Sequence, residues 1–134
     1  MPVTLVVAHH LDSDRAALVD LLWQVRDLEV VGQAATFEGI LELVQVRRPD
    51  VVVIDLGLVP ADKIFRSGSE AKDKEPLKTL LGSQVVAITE RADEAARQLA
   101  KRLGVGALLD KKEVRGALAQ TLLRVTGSMR KGAP

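Results

Sequence analysis

Short aliphatic runs alternate with longer, helix-patterned segments along the whole chain. Runs of four to eight continuous apolar residues predict buried strands, whereas apolar positions spaced three and four apart predict helices. The run VVVI contains only β-branched residues, which predicts a central strand covered on both faces. Alternating strands and helices predict parallel βαβ units, and therefore a doubly wound α/β fold. The predicted strands cover residues 3–8, 30–34, 51–54, 85–88 and 105–109.

Capping residues and glycines indicate where the helices begin and end. Asp12 or Ser13 can cap the first helix and Thr36 the second, because their side chains accept hydrogen bonds from free helix N–H groups. The fourth helix spans about residues 92–103 and stops at Gly104, and the fifth spans about 114–125 and stops at Gly127. Residues 61–82 are polar and rich in glycine and proline, which predicts a short or irregular third helix. We expect one domain over residues 1–127 and a flexible tail or linker start over 128–134.

The composition excludes several classes of protein. The 134 residues are 47% hydrophobic and 28% charged, as in an ordinary globular domain. There is no cysteine, so we expect no disulfides and no thiolate chemistry, and a reducing cytoplasm is the expected location. The beginning of the sequence does not have the pattern of a signal peptide, and no apolar stretch reaches the ~18 residues that a membrane span needs. A membrane partner is therefore not expected.

The charge distribution argues against direct binding to nucleic acid. The net charge is only +1, and 2% aromatic residues leave no stacking platform for bases. The charges are nevertheless uneven, because residues 1–90 have a net charge of −5 and residues 91–134 a net charge of +6. The C-terminal third can therefore present a basic face. Its candidate side chains are Arg91, Arg97, Lys101, Lys112 and Arg115.

Polar side chains follow four of the five predicted strands. In a doubly wound sheet, ligands bind beyond the carboxyl ends of the strands, where the strand order reverses. A carboxylate beside an ammonium and a hydroxyl can accept a phosphoryl group, with Asp55 as nucleophile, Lys111 neutralising charge and Thr89 donating a hydrogen bond. The alternative is that Asp55 caps the next turn and Lys111 simply pairs with it. The side chains expected at this edge are His9, His10, Asp55, Thr89, Asp110, Lys111 and Lys112.

Three segments resemble the receiver domain of bacterial two-component response regulators. They are RRPDVVVIDL, VVAIT and GVGALLDK, in this order, within a match over about residues 3–125. The stretch EVVGQAATFEGILELVQVRRPDVVVIDL is similar to the subgroup in which a helix-turn-helix output domain follows the receiver. The resemblance implies a CheY-like, flavodoxin-like (βα)5 fold with strand order 2-1-3-4-5. It also implies that Asp55 is the phosphoacceptor, Thr89 the switch hydroxyl and Lys111 the conserved lysine of that family.

The sequence departs from the family where a metal ion is held. His9 and His10 stand at the positions of two acidic residues that bind Mg²⁺, an ion that prefers oxygen ligands. Leu108 replaces the switch aromatic residue of the fifth strand. Asp12 could restore an oxygen ligand if it reached the site. We therefore expect impaired Mg²⁺-dependent phosphorylation, with no cofactor or at most a weakly held Mg²⁺ at Asp55.

The two histidines allow more than one interpretation. Two imidazoles and the Asp55 carboxylate are a ligand set for a transition metal, but adjacent residues on an extended strand point in opposite directions. Both rings reach one ion only if the backbone turns there, so the sequence favours no bound metal. Otherwise a histidine fills the vacated pocket, faces solvent, or supplies positive charge in place of Mg²⁺ when it is protonated.

We therefore expect a non-enzymatic signalling domain of receiver type. Its partners would be a histidine kinase, if phosphorylation survives, and a downstream effector protein or output domain. The alternative is a pseudo-receiver that acts without phosphorylation as an interaction or dimerisation module. Such a module would use the face formed by the fourth helix, the fifth strand and the fifth helix, where the resemblance places association.

Overall fold

The structure, a computed structural model, describes residues 2–67 and 74–130 and contains one parallel sheet of five strands. The strand order is β2-β1-β3-β4-β5, which confirms the order 2-1-3-4-5 and the doubly wound α/β fold. All four neighbouring pairs are parallel. The carboxyl ends of the strands therefore lie along one edge of the sheet. The strands are β1 (Val3–Ala8), β2 (Leu28–Ala34), β3 (Val51–Asp55), β4 (Gln84–Thr89) and β5 (Ala107–Asp110).

Helices cover both faces of this sheet. The third crossover contains two short helices where the sequence predicts a short or irregular one, and residues 68–73 between them lie outside the described residues. The fourth and fifth helices of the sequence prediction are consequently α5 and α6. The α-helices in the described ranges are α1 (Asp12–Trp23), α2 (Phe37–Arg47), α3 (Ala61–Ser67), α4 (Pro76–Leu81), α5 (Glu94–Leu103) and α6 (Val114–Arg130), with 3-10 turns at Leu56–Leu58 and Lys111–Glu113.

The core consists of two aliphatic layers separated by the sheet. Residues 51–54 of β3 are completely buried, as the continuous β-branched run predicts. On one face, Leu22 of α1 packs with Leu118 and Leu122 of α6. On the other, Ile40 of α2 and Leu103 of α5 belong to one apolar layer. Among the helices that the structure describes, none is both long and apolar enough to cross a bilayer.

Two predicted helix ends, at Thr36 and Gly104, are confirmed, whereas the predicted start of the first helix is wrong. The Gly39 N–H donates to Thr36 Oγ1 at 3.0 Å, so Thr36 caps α2. Gly104 ends α5 in the left-handed region with φ of +76°, which glycine adopts without a Cβ clash. Neither Asp12 nor Ser13 caps α1, because the helix begins at Asp12 and Leu11 takes the cap position without a side-chain hydrogen bond. The acidic first turn favours this helix end through the helix dipole instead.

The last helix is longer than the sequence predicts. We expected Gly127 to stop it, but α6 continues to Arg130. A glycine inside a helix costs only about 1 kcal/mol relative to alanine, so it does not end a helix unless the backbone can turn left-handed there. Thr126 lies inside the helix, and its hydroxyl donates to the Leu122 carbonyl at 2.8 Å. Residues 131–134 lie outside the described residues.

Candidate functional site

A cavity of about 940 Å³ lies at the carboxyl ends of the strands. We call it the strand-end cleft. It brings together five of the seven side chains expected at this edge, whereas Asp110 and Lys112 do not line it. Leu108 does not line it either, because it packs on the opposite face of the sheet against the apolar layer of α2 and α5. The five residues that line the cleft are His9, His10, Asp55, Thr89 and Lys111.

Asp55 ends β3 with both carboxylate oxygens engaged. The Gly57 N–H donates to Oδ1 at 3.1 Å, so Asp55 caps the following 3-10 turn as the alternative interpretation proposed. Oδ2 lies 2.9 Å from His10 Nδ1. The Asp55 side chain is only 13% exposed. An incoming group can therefore reach this carboxylate only by displacing His10 or by passing beside it.

The backbone turns directly after β1, so the two imidazoles lie on the same side. The strand ends at Ala8 and the chain bends at His10 and Leu11. The His9 and His10 rings stack with centroids 5.2 Å apart and planes inclined by 11°. The alternation expected for a continuing strand is therefore absent at this pair. Both rings approach Asp55 as a result.

His9 is buried between two carboxylates and the adjacent turn. Its side chain is 10% exposed, whereas that of His10 is 56% exposed. The Leu11 N–H donates to His9 Nδ1 at 3.1 Å, so a neutral His9 ring carries its proton on Nε2. Nε2 lies 3.6 Å from Asp14 Oδ2 and 3.9 Å from Asp55 Oδ2. His9 is thus enclosed by these groups, whereas part of His10 faces solvent.

Lys111 lines the cleft, but Asp55 is not among its close partners. Its Nζ lies 3.1 Å from Asp14 Oδ2 and 3.4 Å from Glu90 Oε1. The contact with Asp14 is an ion pair and not a well-directed hydrogen bond, because the buried Oδ2 has no donor at a suitable angle. The Lys111 ammonium holds the pKa of Asp14 below its usual value, and Asp14 and Glu90 together raise the pKa of Lys111. Lys111 therefore pairs with Asp14 and Glu90 and not, as expected, with Asp55.

Asp14 is a cleft residue that the sequence prediction did not place there. It lies four and eight residues before Leu18 and Leu22, both of which are buried, so it shares their inward helix face. That spacing is the signal that could have identified it. Asp12 instead is 89% exposed and pairs with Arg15, so it does not restore an oxygen ligand to the cleft.

Thr89 presents its hydroxyl at the end of β4. Oγ1 donates to the Arg91 carbonyl at 3.4 Å, which is a long hydrogen bond. Thr89 also pairs in register with Asp110 of β5, directly before Lys111. The hydroxyl and the ammonium are thus delivered by neighbouring strands, but each has a local partner other than Asp55.

Asp110 should make the stability of the fold depend on pH. Its Oδ1 accepts from the Lys112 N–H at 2.9 Å and its Oδ2 from the Ala92 N–H at 3.0 Å. These bonds, with the charges of Lys112 and Arg91, lower the pKa of Asp110, whose own N–H donates to Glu113. A carboxyl group with a lowered pKa stabilises the fold above its unfolded-state pKa, and this contribution disappears as the pH falls through the folded-state pKa.

We therefore expect Asp110→Asn to lower the free energy of unfolding at neutral pH, because an amide can accept only one of the two N–H bonds. The difference from the original chain should shrink as the pH falls below the usual carboxyl pKa and vanish below the lowered one. Urea denaturation across this pH range measures it. A difference that stays constant with pH would contradict the assignment.

The fold is that of response regulator receiver domains. The receiver domain of NarL from Mycobacterium tuberculosis matches 94% of this chain and 97% of its own, with 22% identity and a TM-score of 0.76. The receiver domain of AraT from Geobacillus stearothermophilus matches 100% of both chains, with 22% identity and a TM-score of 0.75. The response regulator domain of CheB from Thermotoga maritima has 19% identity and a TM-score of 0.74, over 95% of this chain and 98% of its own. No family model and no curated protein matches the sequence.

The cleft does not suit the Mg²⁺ ion that the receiver resemblance implies. Mg²⁺ demands oxygen ligands in octahedral geometry, but two imidazoles stand where that resemblance expects carboxylates. The oxygens of Asp55 already face His10 and the Gly57 N–H, and Asp14 is paired with Lys111. The residues present therefore do not form a fitting Mg²⁺ site.

Proposed function

We propose that this chain is a receiver-like signalling domain of a two-component phosphorelay. In this proposal Asp55 occupies the phosphoacceptor position, but its Mg²⁺-dependent phosphorylation is impaired. The observation that carries the proposal is the strand-end cleft, which Asp55, Thr89 and Lys111 line together and in which the Asp55 carboxylate lies 2.9 Å from His10 Nδ1. The domain acts by presenting the state of this cleft to a partner and has no enzymatic turnover of its own.

Impaired phosphorylation follows from the electrostatics of the cleft. A carboxylate oxygen that attacks phosphorus must be free, and the transferred group brings further negative charge. Oδ2 faces His10 and Oδ1 accepts from Gly57, so neither oxygen is unpartnered. The ammonium of Lys111 already offsets Asp14 and Glu90. Little positive charge is left to stabilise a phosphoryl group on Asp55.

Intact mass spectrometry with a small-molecule phosphodonor tests this proposal. We expect the purified chain, incubated with acetyl phosphate and millimolar Mg²⁺, to gain at most a small fraction of one phosphoryl group. Asp55→Asn is the control, and any trace adduct on Asp55 should be absent from it. A complete adduct that disappears in Asp55→Asn would contradict impairment. An equal adduct in both forms would place the modification elsewhere and contradict the role of Asp55.

A second candidate is a pseudo-receiver that binds a protein partner or a second copy without phosphorylation. It is favoured by exposed basic side chains on and beside α5, β5 and α6. All five of the side chains proposed from the sequence are exposed there, which suits an acidic partner surface. A histidine kinase would be the upstream partner in the first proposal only, whereas an effector protein or output domain fits both. The basic side chains are Arg91, Arg97, Lys101, Lys112 and Arg115.

A further inference from the structure

We propose that His9, His10 and Asp55 form a binding site for a transition metal ion of the Zn²⁺ class. Within the residues that the structure describes, one potential ligand atom from each of the three lies within 4.8 Å of the other two. The sequence argued against this site because neighbouring strand residues point apart. The bend after β1 removes that objection, since the stacked rings both approach Asp55. The inference does not rest on the proposed function, because it concerns binding in the absence of a phosphodonor.

The distances suit a small ion with short bonds. Zn²⁺ binds imidazole nitrogen and carboxylate oxygen at about 2.0 to 2.2 Å, so two ligands of a tetrahedral site lie roughly 3.4 Å apart. His10 Nδ1 lies 2.9 Å and His9 Nε2 3.9 Å from Asp55 Oδ2. These two separations bracket the required one. Shifts of about half an ångström would therefore bring each nitrogen to the required distance from Asp55 Oδ2.

The ligand chemistry distinguishes this site from a magnesium site. Two histidines with one carboxylate leave coordination positions open to water or another ligand, and this set suits Zn²⁺, Co²⁺ and Fe²⁺. The Gly57 N–H bond to Asp55 Oδ1 leaves Oδ2 to face the histidines and holds the carboxylate in orientation. A bound cation would also compensate the Asp55 carboxylate, with which Lys111 does not pair, and would add to the positive charge that Lys111 supplies at Asp14.

Binding through His9 requires one local change. Its Nδ1 accepts the Leu11 N–H, and ligation through Nε2 moves the ring proton to Nδ1. The Leu11 N–H then loses that acceptor. Leu11 is 44% exposed, so water can replace it. The change provides a spectroscopic signature, because the Leu11 amide should respond to the metal although Leu11 supplies no ligand.

The test is a titration of untagged, chelator-treated protein with Co²⁺ and then Zn²⁺. We expect one Co²⁺ per chain, with the intense visible absorption of a low-coordinate site, and its displacement by one equivalent of Zn²⁺. Millimolar Mg²⁺ should not displace either ion. In ¹H–¹⁵N NMR spectra the Leu11 amide should shift on addition of Zn²⁺. Absence of one-to-one binding, or displacement by Mg²⁺, would overturn the proposal.

The composition makes the controls unusually clear. The chain has two histidines and no cysteine, so His9→Asn/His10→Asn removes every imidazole and thiolate ligand. We expect this variant, and Asp55→Asn alone, to bind Zn²⁺ at least about 100-fold more weakly, since even outer partners contribute 10- to 100-fold. Asp27→Asn alters an exposed carboxylate before β2, at the opposite end of the sheet, and should bind normally. Circular dichroism verifies the fold, and undiminished binding by the folded double-asparagine variant would overturn the proposal.

Discussion

His9→Asp/His10→Asp should convert the chain into a domain that is phosphorylated on Asp55 in the presence of Mg²⁺. The change replaces two nitrogen donors by carboxylates beside Asp55 and removes the imidazole that lies 2.9 Å from Oδ2. Carboxylate ligands suit Mg²⁺, which can stabilise developing phosphoryl charge by several kcal/mol. Since each 1.36 kcal/mol is a factor of ten, we expect the phosphorylation rate with acetyl phosphate to rise about 100-fold. Intact mass measured over time gives this rate.

Asparagine provides the matched control for this gain. His9→Asn/His10→Asn also frees Asp55 from both rings but adds no carboxylates, so its rate should stay near that of the original chain. Mg²⁺ should raise the melting temperature of the double-aspartate variant and not that of the double-asparagine variant, because a bound ion stabilises the folded state. Equal rates in the two variants would show that the missing acidic pair is not what limits phosphorylation.

Gly104→Ala should be among the most destabilising single-methyl additions in the fold. Gly104 has φ of +76°, where an alanine costs about 1 to 2 kcal/mol. A Cβ there would also meet backbone, since it would contact Glu75 Cα and lie 2.6 Å from the Lys74 carbonyl oxygen. Overpacking of this kind adds about 1 to 3 kcal/mol, so we expect a total loss of about 2 to 5 kcal/mol. Denaturant unfolding followed by circular dichroism measures it.

Gly82→Ala separates the cost of the left-handed backbone conformation from the cost of the steric overlap. Gly82 ends α4 as Gly104 ends α5, with φ of +70°, but a Cβ there would have no neighbour within 4 Å among the described atoms. This variant should lose only the conformational part, about 1 to 2 kcal/mol. Equal losses in the two variants would mean that residues 74 and 75 do not pack against Gly104 as described.

The sheet was predictable because its strands consist of continuous aliphatic runs. Val51–Asp55 shows this most clearly, since a fully buried strand needs no alternation and leaves an unmistakable pattern. Helix ends were less predictable. Thr36 has a local hydrogen-bonding role that the sequence reveals, whereas Gly127 continues a helix because nothing there turns the backbone left-handed.

The members of the site were more predictable than their partners. His9, Asp55 and Lys111 follow strands, so the topology alone places them at one edge. Which side chain meets which carboxylate depends on rotamers and on the first turn of α1. Asp14 takes Lys111 because it stands on the inward face of that helix, and His10 takes Asp55 because the chain bends after β1.

Arg15 holds the loop that carries His9 and His10 in one conformation. It donates to the His9 carbonyl and the Gln33 side chain and pairs with Asp12, while the His9 N–H donates to Ala34. The loop is therefore preorganised, and the conformational entropy of arranging its rings is lost when the chain folds. Selectivity among ions or ligands at this edge should then reflect donor chemistry more than the ordering of a loose segment.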